Sequence, residues 1–248
     1  MITCEVCVEG FSGAAAAEAG GGHRIELCAG LIEGGTTPSL GTLSLVLERL
    51  AIPTVVLIRP RGGDFLYNDR EFDTMLRDIE LVRDAGGLGI ATGVLTADGR
   101  IDSVQFEQLI AAARPMSITC HRAFDMTRDP IDALETLITL GVDRVLTSGQ
   151  QPRVPEGLEL IRELVELADG RISIMPGCGI NEENARDVVE KTGANEIHFT
   201  AFSHQQSGMT YRNPRPFMGS VEVLGEYDLQ LTDPARVRSF VNQVEGVS

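Results

Sequence analysis

Lysine is almost missing from this chain of 248 residues: Lys191 is the single one. Every other fixed positive charge is an arginine, which serves neither as a Schiff-base nucleophile nor as a general base near neutral pH. Schiff-base aldolase chemistry therefore lacks its nucleophile. Basic clustering is missing as well, since the formal charge is −15. Without a stripe of Lys and Arg there is nothing to answer a phosphate backbone, and nucleic acid is excluded as a partner. No apolar run is long enough to span a bilayer, and no positively charged segment leads into an apolar one at the start. A soluble cytoplasmic protein with no membrane partner is expected.

Other signatures are absent too. The stretch EGFSGAAAAEAGGG after the first apolar run contains no G-x-G-x-x-G, which argues against a dinucleotide-binding doubly wound sheet. Neither an H-x-H on the first strand nor an H-E-x-x-H occurs, so the common hydrolytic zinc sites have no ligands. Three acids on successive later strands, as an enolase-like magnesium site needs, are not found. Cysteine is sparse and odd in number, at 4, 7, 28, 120 and 178, which favours reduced thiols over a disulfide framework. Cys4-x-x-Cys7 has redox spacing, but on a strand the two residues point to opposite faces, unlike a dithiol at a helix N-terminus.

What is present is alternation. Short apolar runs near 3–8, 23–28, 53–59, 88–93, 116–121, 143–147, 171–176 and 195–200 read as strands. Amphipathic stretches near 12–19, 39–50, 69–85, 102–113, 130–140, 155–168, 181–191 and 233–245 read as helices. Start signals support several of them: Asp102, Pro130, Asn181 with Glu183 and Asn184, and Asp233-Pro234. Eight βα units in about 250 residues predict a (β/α)₈ TIM barrel, one domain over 1–248. A long irregular segment is expected at 201–232, and such a segment inside a compact domain is usually functional or an interface.

Chemistry in such barrels sits at the C-terminal ends of the strands. Glu5-Val6-Cys7 and Glu26-Leu27-Cys28 each send a carboxylate and a thiol to one face of a strand. Strand parity adds Arg24, Arg59, Arg61, His121 and His198 to that end. Singly, each could be a partnered interior charge or a small buried apolar residue. Together they favour a ligand site. Arg59, Arg61 and Arg122, with the glycine-rich ends at Gly149 and at Gly177-Cys178-Gly179, form a candidate cradle for a small anion. In an enzymatic reading Glu5, Glu26 and His121 would supply acid or base chemistry on a phosphorylated or carboxylated metabolite.

The strings EVCV, RIELC, EGGTTPSLG, IRPRGGDF, HRAFDM, RVLTSGQ and YRN, in this order and over almost the whole chain, resemble the CutC family of copper homeostasis proteins. The resemblance implies a TIM barrel, a role in copper homeostasis in the cytoplasm, Cu(I) binding, and a homodimer or higher homo-oligomer. It also implies that the cysteines associated with copper are Cys7 and Cys28. Soft thiolate sulfur suits Cu(I), whereas a carboxylate is a hard ligand. Glu5 and Glu26 are accordingly expected one strand-step deeper than the thiols, outside the metal's ligands. The sequence departs from the family pattern at Cys178, where a smaller residue is usual, and at Phe199-Thr200. Self-association is expected to use 201–232, with Pro214, Pro216, Phe217 and Met218 as its apolar surface.

Overall fold

The computed structural model describes residues 2–216 and 225–247. Eight parallel strands run β1 Thr3–Glu9, β2 Arg24–Cys28, β3 Thr54–Leu57, β4 Gly89–Thr92, β5 Ser117–Cys120, β6 Arg144–Thr147, β7 Ser173–Pro176 and β8 Glu196–Phe199. They pair in the order β7-β6-β5-β4-β3-β2-β1-β8. A single bridge, Gly177 to His198, joins the two ends, so the barrel is nearly closed. Most of these strands are buried along their length because helices cover the outside and side chains fill the inside.

Eight helices alternate with the strands: α1 Gly10–Gly20, α2 Leu40–Arg49, α3 Asp69–Asp84, α4 Ser103–Ala113, α5 Pro130–Leu140, α6 Val154–Ala168, α7 Ala185–Thr192 and α8 Pro234–Val244. The start signals act locally. Asn68 and Glu71 close a capping box on α3, Asp102 accepts from the Gln105 N–H, and Asp129 and Asp233 cap helices whose first turn begins with proline. Asn181 instead accepts from the Glu183 and Asn184 N–H groups in a turn, and α7 begins only at Ala185.

The main core lies between sheet and helices. Phe106, Phe124 and Phe240 are fully buried there, and truncating such a ring to alanine costs about 3–5 kcal/mol. Phe199 at the end of β8 stacks on Phe240 of α8 with centroids 3.9 Å apart, so its aromatic ring anchors the last helix. The segment 201–232, expected to be irregular, contains an antiparallel ribbon, β9 Phe202–Gln206 against β10 Asp228–Thr232. Its strands were hidden because their alternating residues face mostly solvent. Pro214 and Pro216 are exposed beside it, and Phe217 and Met218 lie outside the described residues.

Candidate metal centre

Register places the site. β1 pairs with β2 so that Glu5 opposes Arg24, Cys7 opposes Glu26 and Glu9 opposes Cys28. Glu26 is therefore level with Cys7, and only Glu5 lies a step deeper. This corrects the expectation for Glu26: the stagger between neighbouring strands brings its carboxyl up to the thiols. The two sulfurs are 3.8 Å apart, and Glu26 Oε2 lies 3.5 Å from Cys7 Sγ and 3.4 Å from Cys28 Sγ. Val55, Leu57 and Ala91 form the apolar wall beside the thiols, with Leu31 packed against them.

β8 pairs with the other side of β1, opposing His198 to Glu5. The imidazole Nδ1 is 2.9 Å from Glu5 Oε1, and Nε2 is 3.7 Å from Glu26 Oε2. One ligand atom each from Cys7, Glu26 and His198 falls within 4.8 Å of the others. His198 belongs to the site as fully as the thiols do. Its inward parity in EIHF was visible, but its aim at Cys7 and Glu26 depends on which strand closes the barrel. Below, Arg24 bonds Glu5 and Glu196, and Arg144 reaches Glu196 at 2.7 Å, so the deeper charges are mutually paired.

This packing separates the protonation states. For Glu5, burial opposes ionisation, but the His198 hydrogen bond and the Arg24 charge outweigh it and hold the carboxyl near 2. Cys7 is lowered to about 5 by the Cys28 hydrogen bond, and by His198, against its burial. Cys28 moves the opposite way, raised by burial and by Cys7. Burial, with the charges of Cys7 and Glu5, lifts Glu26 to about 8. His198 is raised despite burial, because Cys7, Glu26 and Glu5 all favour the imidazolium. These directions favour the thiolate at Cys7, the imidazolium at His198 and the neutral forms of Cys28 and Glu26.

Above the thiols lies a cavity of about 210 Å³ whose walls include Cys7, Glu26, His198, Arg59, His121 and Arg122. The expected anion cradle divides here. Arg59 and Arg122 line the cavity. Arg61 does not: its guanidinium pairs with Glu71 at 2.6 Å and Asp64 at 3.1 Å and lies over Tyr67, pinning the loop after β3. The turn after β6 is already filled by the chain's own Asp125. That carboxylate accepts the N–H groups of Ser148 and Gln150 and the hydroxyls of Thr147 and Ser148, and it pairs with Arg122 at 2.8 Å. The Gly149 N–H donates to Thr147 Oγ1 and the Gly177 N–H to the Thr147 carbonyl. Gly179, at φ +77°, leaves room for Arg153, whose Cβ a methyl there would approach to 2.7 Å. Nothing in the sequence marks Asp125 as the occupant, because its partners in that turn lie more than twenty residues away.

Residues 2–203 match the CutC family model. The chain belongs to the CutC family. It is 51% identical over 236 residues to the copper homeostasis protein CutC homolog of Mus musculus, spanning 95% of this chain and 87% of that one. The homolog of Homo sapiens is likewise 51% identical, spanning 95% and 86%. The solved CutC structure from Streptococcus agalactiae superposes with a TM-score of 0.76 at 34% identity, over 80% of this chain and 98% of that one. Phosphoribosylanthranilate isomerase from Pyrococcus furiosus, at 14% identity and TM-score 0.58, shares the barrel fold. The CutC match ends at residue 203, so most of the ribbon and all of α8 fall beyond it.

Proposed function

We propose that this CutC protein takes part in copper homeostasis by binding Cu(I) at the barrel mouth, with Cys7 and Cys28 as sulfur ligands and His198 beside them. The observation that carries this reading is the pair of sulfurs 3.8 Å apart, and the Cys28 hydrogen bond and His198, which lower the Cys7 thiol to about 5, favour its ligating form. Soft sulfur donors favour Cu(I), and an imidazole nitrogen is a compatible third donor. Glu26 touches both thiols but is a hard, protonated group, so it tunes the sulfurs and leaves the metal to them. Copper is here the cargo, and its uptake releases the Cys28 proton together with the Nε2 proton of His198, whose Nδ1 stays on Glu5.

The setting that suits such a site is the reducing cytoplasm, where thiols stay free. None of the five cysteines is in a disulfide. Among the described residues no helix is long and apolar enough to cross a membrane. Self-association through the ribbon belongs to the same reading: Leu229, Leu231 and the neighbouring Ile32 are exposed on one surface. The enzymatic reading has less behind it, because Glu5 is locked between Arg24 and His198 and the turn after β6 is filled from within.

The test is an anaerobic Cu(I) titration against a chelating competitor. Cys7→Ser and Cys28→Ser should each lose affinity, and Glu26→Gln should keep most of it. Unchanged affinity in both serine variants would remove the metal site, and a loss confined to Glu26→Gln would show a different ligand set.

A further inference from the structure

Among the described residues, two buried donors at the barrel mouth have no hydrogen-bond partner. They are Arg59 Nε and His121 Nε2. Both residues line the cavity above the thiols, and they are only 6% and 5% exposed. A buried N–H left unpaired costs about 1–3 kcal/mol, so two of them on residues that line one cavity call for an acceptor.

The rest of each side chain is fixed. Arg59 Nη1 donates to the carbonyls of Glu33 at 2.9 Å and Gly35 at 2.8 Å, and Nη2 donates to Gly63 at 2.8 Å. These partners are neutral, and among the described residues no carboxylate pairs with this guanidinium. A buried positive charge without a counter-ion is a costly arrangement unless a ligand completes it. His121 Nδ1 accepts the Ala123 N–H at 3.1 Å, which puts the ring proton on Nε2 and makes that atom a donor. Phe65 lies against both groups, 5.2 Å from the Arg59 guanidinium and 5.0 Å from the His121 ring centre. Behind the imidazole, a Cβ on Gly93 would come within 2.8 Å of His121 Cε1, so the ring is packed firmly from its other side.

We propose that the mouth cavity binds a small carboxylate through Arg59 Nε–H and His121 Nε2–H, beside the thiol pair. Two N–H donors with one uncompensated charge match the two oxygens and single charge of a carboxylate. A phosphate dianion calls for a richer cradle, and the turn after β6 that could have supplied one is occupied by Asp125. The cavity of about 210 Å³ has room for an acid of a few carbons.

Sodium acetate is the probe, with sodium phosphate and sodium chloride at matched ionic strength as the other arms. Acetate should move the His121 ring resonances saturably in a ¹⁵N-labelled sample, with affinity in the millimolar range, and raise the thermal midpoint above the chloride control. Arg59→Gln should weaken acetate at least about tenfold while Cu(I) affinity stays. Cys28→Ala, which does not line the cavity, should do the reverse, so failure of one site is distinct from failure of the other. If Arg59→Gln does not fold, the wild-type resonances decide alone. Ring signals unmoved at about 50 mM acetate, acetate no better than chloride, phosphate binding more tightly than acetate, or acetate binding intact in Arg59→Gln would each overturn the proposal.

Discussion

Glu26 Oε2 stands between the two thiols, 3.5 Å from Cys7 Sγ and 3.4 Å from Cys28 Sγ, and the pair of sulfurs is polarised around it. Cys7 is lowered to about 5 by the Cys28 hydrogen bond and by His198, while Cys28 is raised by burial and by Cys7. Two chemically identical side chains are thus driven apart because one accepts the other's hydrogen bond and faces a cation, while the other donates that bond.

That difference predicts selective alkylation. Iodoacetamide at pH 7 should modify Cys7 about tenfold or more ahead of Cys28, as read by peptide mass spectrometry. His198→Asn removes the imidazolium and should move the Cys7 profile to higher pH. Equal rates at the two cysteines, or a profile indifferent to His198, would contradict the assigned charge pattern.

Glu5 carries the deep ion network. Glu5→Gln leaves Arg24 and His198 with one buried partner fewer, and the expected loss of stability is about 3–5 kcal/mol. The pH dependence follows from the sign of each shift. Glu5 falls from 4.5 to about 2, so its contribution is complete above 4.5 and fades as pH drops through about 2. His198 is raised above 6.5, so its contribution is complete below 6.5 and fades as pH climbs through the raised value. Urea midpoints measured across pH should show both limbs in the wild type and shallower ones in Glu5→Gln. Identical profiles would mean that the network adds nothing to stability.

Much of this was legible in the sequence, and the exceptions share a cause. The βα alternation gave the barrel because covering helices leave the strands as short apolar runs, and strand parity correctly turned Glu5, Cys7, Glu26 and Cys28 inward. Parity does not fix how far one strand slides against the next. The level of Glu26 beside Cys7 was therefore misjudged, and the reach of His198 from β8 was not foreseen. Asp125 carries no signal of its own in HRAFDM, yet it fills the turn after β6. Arg61 shared parity with Arg59, but a nearer acid, Glu71 at the start of α3, claimed it.

The filled turn can be emptied. Asp125→Ala removes a carboxylate whose side chain is 5% exposed and should destabilise the protein by about 2–3 kcal/mol, the scale of a buried charge-assisted hydrogen bond. The freed N–H groups of Ser148 and Gln150 would then face a vacant pocket. Sulfate should recover part of the lost thermal stability in the variant and give no comparable gain in the wild type. No selective recovery would mean that the N–H groups close up when Asp125 leaves.

Cys178 is a cysteine held at φ +91°, a backbone region that suits glycine, with its thiol 3.3 Å from the Pro152 carbonyl. Cys178→Gly should stabilise the protein by about 1 kcal/mol, offset in part by loss of the weak S–H bond. Thermal unfolding of the two proteins decides it, and a lower midpoint in the glycine variant would show that the sulfur contact outweighs the strain.

Copper K-edge absorption on the anaerobic Cu(I)-loaded protein tests the central claim most directly, because it counts the atoms around the metal. The account predicts two sulfur scatterers and one nitrogen in the wild type, with one sulfur remaining in Cys28→Ser. A first shell of oxygen and nitrogen without sulfur would contradict it.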